Sequence, residues 1–144
     1  MVRHRYTFAE LLPVVDRSGC KIVRGHAMDD GDTAWSVECP THQAKVLLLA
    51  NLADLDARQP YIMHLARSLA ADTDHTAEGI ARRLLEYVQQ TVDFLPELGE
   101  LFRPSETTLE DGIGDCDCSS RAYVALARAA GLEAGMGTLG NPPV

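Results

Sequence analysis

Lysine is scarce in this chain of 144 residues, which contains only Lys21 and Lys45. The 13 Lys and Arg residues face 21 Asp and Glu residues, so the formal net charge is −8 and the pI is about 5.0. Nucleic acids and anionic membranes are bound mainly through basic patches. The acidic balance therefore argues against a nucleic acid or a membrane as the main partner.

Long hydrophobic runs and abundant cysteine are also missing. The longest aliphatic run covers residues 46–50, whereas a membrane-spanning helix needs about 20 apolar residues. The basic residues at the start are not followed by an apolar segment and a small-residue cleavage site, so we expect no secretory signal. Four cysteines are too few for a disulfide scaffold, and reduced thiols in a cytoplasm are the expectation.

The length and composition predict one α+β domain over residues 1–144. Hydrophobic residues make up 46% and charged residues 24% of the chain, which is ordinary globular usage and excludes disorder over most of the length. Thr7 and Glu10 form a capping-box pattern for a first helix, which we expect Pro13 to interrupt. A hairpin follows, with strands over 20–27 and 33–39 on either side of an acidic turn.

The second half of the chain has mainly helical periodicity. Residues 41–56 are ambiguous, because a short apolar run suits a buried strand or a buried helix equally well. The remaining predictions are a helix from Pro60, a helix from Thr76 to about Phe94, a linker-like loop over 97–114, a helix over about 117–130 and a short strand over 132–139.

The segment Gly-Ile-Gly-Asp-Cys-Asp at residues 112–117 carries the clearest chemical signal. It places Cys116 at the predicted start of a helix, where free amides and the helix dipole stabilise a thiolate. The same amides can bind the oxyanion of an acyl-transfer intermediate. Gly114, Asp115 and Asp117 are therefore the predicted substrate or oxyanion loop. The nearby carboxylates oppose the thiolate, so a base such as histidine is needed.

Several segments together resemble the transglutaminase-like superfamily, especially its bacterial and phage-related members. The resemblance covers roughly residues 60–137, and it is most specific at the loop, Gly-Asp-Cys-Asp and the following helix that ends in glycine. The segments that carry it are 60–66, 76–81, 85–88, 103–109, 114–117 and 125–132.

The resemblance implies a papain-like α+β fold, in which a nucleophilic cysteine lies on a helix packed against a small antiparallel sheet. It divides the chain into an N-terminal hairpin and variable part, 1–59, and a transglutaminase-like core, 60–140. In this family a histidine and an acid on following strands complete a catalytic triad. Of these residues, only Cys116 can be assigned in this sequence.

All five histidines precede Cys116. Three explanations are open: the chain is a fragment of a longer enzyme, it has lost catalysis and kept the fold, or a permuted triad uses an earlier histidine. His26, on the predicted hairpin, is the candidate base under the third explanation. His42 and His64 rank behind it.

A metal site is the other chemical interpretation. Cys39, His42, Cys116 and Cys118 supply a Cys₃His ligand set for zinc, but neither half has the usual spacing of a zinc knuckle. Acidic runs around residues 29–32 and 111–117 do not fit the calcium-binding loop pattern and are better explained as solvated turns. We therefore expect no metal and no cofactor.

The leading functional hypothesis is a cysteine hydrolase or acyltransferase that acts on amide or peptide bonds through Cys116. The alternative is a non-catalytic structural or assembly protein of the same fold in a phage-related particle. The expected partner is a protein or peptide substrate, and a homo-oligomer or an assembly partner fits as well. The expected location is a bacterial cytoplasm or a phage particle.

Overall fold

The computed structural model describes residues 6–27, 33–96 and 103–137, and within them the fold is α+β, as the sequence predicts. No helix in these ranges is long and apolar enough to cross a membrane. The elements in chain order are α1 (Phe8–Arg17), β1 (Lys21–Ala27), β2 (Thr33–Glu38), α2 (His42–Ala57), α3 (Pro60–Ala71), α4 (Ala77–Thr91), β3 (Asp93–Phe94), α5 (Ser105–Asp111), β4 (Ile113–Gly114) and α6 (Cys116–Ala129).

Side-chain caps fix where several of these helices begin. Thr7 and Glu10 form the predicted capping box before α1, with Thr7 Oγ1 accepting the Glu10 N–H at 3.2 Å. Thr41, Thr76 and Asp115 cap α2, α4 and α6 in the same way, each accepting an amide of the first turn. A short polar side chain at this position satisfies a backbone donor that has no partner within the helix.

The expectation that Pro13 interrupts the first helix is wrong. α1 runs through Pro13 to Arg17. The missing N–H would have bonded to the carbonyl of Ala9, but Ala9 and Pro13 are both exposed, so water can bond to that carbonyl. Burial of Val14 and Val15 on the opposite face holds the helix in place.

The N-terminal hairpin forms as predicted, but its flanking cysteines are not reduced. β1 and β2 pair antiparallel with Lys21 opposite Glu38, and the predicted turn at 29–32 lies outside the described residues. Cys20 and Cys39 form a disulfide, so the expectation of four reduced thiols is wrong. The register brings these two cysteines together, because each lies next to one member of the Lys21–Glu38 pair.

Residues 41–56, which the sequence leaves open between strand and helix, form α2. One side of this helix joins the main core and the other joins a smaller core beneath α1 and the hairpin. A helix buried on two sides has no single apolar stripe, so its period is hidden in the sequence. The main core takes Val46, Leu49, Ala50 and Ala53, and the smaller core takes Leu48 and Leu52.

Two expectations for the C-terminal half are wrong in part. The predicted loop over 97–114 contains α5, whose buried residues are mostly polar and so give no apolar signal. Residues 97–102 lie outside the described residues. No strand forms over 132–137, where Gly135 and Gly137 interrupt the alternation of a strand; residues 138 and 139 lie outside the described residues.

α6 forms the centre of the main core and packs against α2, α3, α4 and α5. Ala122, Ala125 and Leu126 have no exposed surface. Small alanine side chains let the neighbouring helices approach closely. The hairpin contacts α1, which places it on the far side of α2 from α6.

A buried carboxylate ties these elements together. Asp56 of α2 is 1% exposed and forms a bidentate pair with Arg121 of α6, at 2.6 Å from Nε and 3.0 Å from Nη2. Ser105, the first residue of α5, donates its N–H at 3.1 Å and its hydroxyl at 2.5 Å. Tyr6 donates its hydroxyl at 2.5 Å. Three separate parts of the chain therefore converge on one side chain of α2.

Tyr6 remains a donor in this cluster at any ordinary pH. Burial raises the pKa of Tyr6 well above its usual value, and the neighbouring charge of Asp56 raises it further. The phenol is therefore held neutral, and its O–H donates a hydrogen bond to the Asp56 carboxylate.

Breaking the buried pair should cost far more stability than breaking a surface pair. Arg121→Met leaves the Asp56 carboxylate buried without its cation, and we expect a loss of about 3–5 kcal/mol in the free energy of unfolding. Arg82→Met is the matched control, because Arg82 pairs with Glu78 on the exposed face of α4; it should cost less than about 0.5 kcal/mol. Urea unfolding measures both.

A second variant keeps this test informative if Arg121→Met does not fold. The double change Asp56→Leu with Arg121→Met removes both charges, and it should be more stable than Arg121→Met alone. Equal losses for Arg121→Met and Arg82→Met would contradict the role given to the buried pair.

Candidate active site

Cys116 is the first residue of α6, and its thiol is free and exposed. The thiol donates a weak hydrogen bond to Asp117, with Sγ 3.9 Å from Oδ1. Cys118, one turn into the same helix, is also free but is buried. The two free thiols of the chain therefore differ sharply in their access to a reagent or substrate.

The approach to Cys116 is fixed by a tight turn and a short parallel pairing. Gly112 ends α5 with φ at +69°, a conformation that favours glycine. β4 then pairs with β3, and the Leu95 N–H donates to the carbonyl of Gly114 at 3.0 Å. A Cβ on Gly114 would lie only 2.8 Å from the Cβ of Cys118. Glycine at this position lets the loop pack directly on the first turn of α6.

Each acidic residue beside Cys116 has a defined partner. Asp115 is the N-cap of α6 and accepts the Cys118 N–H at 2.9 Å. Asp117 forms an ion pair with Lys45 of α2, with Nζ 3.2 Å from Oδ2. The Lys45 ammonium partly compensates the negative charge nearest to the thiol.

Cys116 lines an open cavity of about 710 Å³ between α2, α4 and α6. His42 and Lys45 of α2 line the same cavity, one turn apart. Half of the other lining residues are aliphatic, counting Met136. The remaining lining residues are Val46, Leu49, Leu85, Val88, Gln89, Val92, Asp117, Ser119, Ser120, Tyr123, Val124, Gly135, Met136 and Gly137.

A family model for the transglutaminase-like superfamily matches residues 63–139, just over half of the chain. The chain belongs to the transglutaminase-like superfamily. No curated protein and no solved structure matches it significantly. The matched region of this transglutaminase-like chain runs from α3 through α6, so it includes Cys116 and leaves out α1, the hairpin and α2.

The predicted site residues of this transglutaminase-like protein lie in different places. Cys116, Asp115 and Asp117 are adjacent at the start of α6, with Gly114 buried beneath them. His26 lies on β1, where its Nε2 is 2.7 Å from Ser36 Oγ. His26 is not among the residues that line the cavity with Cys116.

Two residues outside the matched region, His42 and Lys45, place ionisable side chains in the wall of the cavity. From the sequence alone, His42 is a weaker candidate for the general base than His26, and no sequence pattern marks Lys45 as a site residue. Their helical spacing of three residues is meaningful only once residues 41–56 are known to be a helix, since i and i+3 then share a face. Identifying these two residues as part of the site therefore requires the secondary structure of this segment, because they belong to no sequence motif.

The Cys₃His zinc set does not assemble. Cys39 is bonded to Cys20, so it has no thiolate to offer a metal. Across residues 6–27, 33–96 and 103–137, no three His, Cys, Asp or Glu side chains are grouped closely enough to hold a metal ion.

Removing the ammonium beside Asp117 should slow the reaction of Cys116 with a thiol reagent. Lys45→Met leaves an uncompensated carboxylate beside the sulfur, and we expect alkylation of Cys116 by iodoacetamide at neutral pH to fall roughly three- to fivefold. Lys21→Met is the matched control, because it removes the other lysine of the chain from exposed β1. Mass spectrometry of the Cys116 peptide gives the rates. Equal rates in both variants would show that the Lys45–Asp117 pair has no effect on the thiol.

Proposed function

We propose that this protein is a transglutaminase-like cysteine hydrolase or acyltransferase that acts on amide or peptide bonds, with Cys116 as the nucleophile. The observation that carries the proposal is the free, exposed thiol at the first position of α6, in the wall of a cavity. A nucleophile needs access to its substrate, and a helix N-terminus supplies amides that favour a thiolate.

The first turn of α6 also offers donors for the transition state. The Cys118 N–H is bonded to Asp115, so it is not free for a substrate. The first intrahelical bond of α6 is donated by the Ser119 N–H to the Asp115 carbonyl, so the Cys116 and Asp117 N–H groups precede the first donor that bonds within the helix. We propose that these two amides donate to the oxyanion that forms when the thiolate adds to a carbonyl carbon.

His42 is the proposed general base. It lines the same cavity as Cys116, and Lys45, three residues later on the same face of α2, forms an ion pair with Asp117. This ion pair holds the N-terminal turn of α2 against the N-terminal turn of α6. His26 has no comparable link to α6, because it is on the hairpin and is hydrogen-bonded to Ser36.

The proposed reaction has two steps, acylation and deacylation of Cys116. His42 accepts the thiol proton, the sulfur adds to the carbonyl carbon, and the carbon–nitrogen bond breaks as the imidazolium returns the proton to the leaving amine. The product of this half is a thioester on Cys116. Water or an amine next adds to the thioester and gives its proton to His42, the carbon–sulfur bond breaks, and the imidazolium returns this proton to the sulfur to restore the thiol.

Acylation of Cys116 by an activated ester tests the nucleophile. With p-nitrophenyl acetate at neutral pH, we expect one acetyl group per chain, formed at least about tenfold faster than on glutathione under the same conditions. A small thiol is the proper reference, because Cys118 is buried and would react slowly for lack of access alone.

Matched alanine variants assign the acetyl group. Cys116→Ala should lose it and Cys118→Ala should keep it, as measured by intact mass. Reaction of Cys116 no faster than glutathione would contradict a catalytic role and favour the non-catalytic assembly protein of the same fold.

A pair of histidine variants tests the base. His42→Gln should slow acylation of Cys116 by about a hundredfold or more, because the amide side chain cannot accept the thiol proton. His26→Gln is the control and should change the rate less than about twofold, because its side chain does not line the cavity. His42 is exposed, so its replacement should leave the unfolding midpoint unchanged. Equal effects of the two variants would overturn the assignment of His42.

A further inference from the structure

We infer that the cavity beside Cys116 selects acyl groups with an uncharged aliphatic chain. The inference rests on the proposed function and adds the substrate class to it. It is based on the side chains that line the cavity: an ion pair lies beside Cys116, and aliphatic side chains line the part along α4.

The floor of the cavity is part of the hydrophobic core. Six of the aliphatic lining residues are at most 9% exposed, so they present apolar surface that is already held rigidly by the surrounding helices. Burial of a hydrocarbon chain against such a surface is favourable. These residues are Val46, Leu49, Val88, Val92, Val124 and Met136.

The apolar surface extends away from the thiol along α4. Leu85 and Val88 lie on one face of this helix, and Val92, the residue that follows its last turn, donates its N–H to the Val88 carbonyl. Seven residues of helix span about 10 Å, which accommodates an acyl chain of several carbons. Leu85 is 44% exposed and forms the open rim of this stretch.

Lys45 and Asp117 are the Lys, Arg, Asp and Glu residues that line the cavity, and Asp117 directly follows Cys116. Lys45 and Asp117 form an ion pair with each other. Tyr123 donates its hydroxyl to the Ala81 carbonyl at 3.2 Å. A charged acyl chain that lies along α4 would therefore lose its hydration without meeting an opposite charge.

Ester chain length tests this selection. We expect p-nitrophenyl hexanoate to acylate Cys116 at least about tenfold faster than p-nitrophenyl acetate, because the longer chain buries additional methylene groups. A p-nitrophenyl monoester of adipic acid, which has the same chain length as the hexanoate but ends in a carboxylate, should be slower than the hexanoate by at least the same factor. The release of p-nitrophenol and the intact mass together give each rate.

Two leucine variants locate the effect. Leu85→Glu places a carboxylate at the rim of the cavity and should lower the ratio of hexanoyl to acetyl rates at least about threefold. Leu12→Glu is the matched control, because Leu12 is a partly exposed leucine on α1 that does not line the cavity; it should leave the ratio unchanged.

Protection by an aliphatic alcohol, which has no acyl group, supplies a readout that does not need turnover. 1-Hexanol should slow the alkylation of Cys116 by iodoacetamide in the native chain, and ethanol at the same concentration should not. Protection should be weaker in Leu85→Glu and unchanged in Leu12→Glu.

The outcomes separate the two proposals. Acylation of Cys116 at equal rates by the acetyl, hexanoyl and adipoyl esters would overturn the aliphatic selection while the nucleophilic role stood. Failure of every ester to acylate Cys116 would overturn the proposed function, and protection by 1-hexanol would then still report binding of an aliphatic chain in the cavity.

Discussion

The bidentate pair between Asp56 and Arg121 is the interaction on which the arrangement of the helices depends. Two charges with almost no exposed surface are tolerated only when each is matched by a partner in good geometry. The Asp56 carboxylate meets this condition by accepting hydrogen bonds from Tyr6, Ser105 and Arg121 together. Arg121 lies about one and a half helical turns after Cys116. The pair that fixes α6 in the core therefore also fixes the direction in which its N-terminus emerges.

α2 connects this core to the candidate site because it is buried on two sides. Its inner face packs on α6, and its outer face supports α1 and the hairpin. The same packing places His42 and Lys45 at the cavity that contains Cys116. The family match begins at residue 63, so α2 lies outside it. This helix nevertheless supplies Lys45, the cation that pairs with Asp117.

The sequence predicts those parts of the fold that depend on local chemistry. Caps, the hairpin and α6 follow from short-range patterns such as Thr7 with Glu10. The sequence fails where tertiary burial decides the outcome: α2 has apolar residues on two faces, and α5 has a mostly polar buried surface. The same limit applies to the site. Cys116 is predicted from its loop and helix, whereas the position of His42 depends on how α2 packs against α6.

Charge balance around Cys116 explains why one lysine matters in so acidic a chain. Two carboxylates flank the thiol in sequence, and each on its own opposes a thiolate. The Asp115 carboxylate accepts an amide as the N-cap, and the Asp117 carboxylate faces Lys45. With both carboxylates occupied, the dipole of α6 is opposed less strongly at its N-terminus.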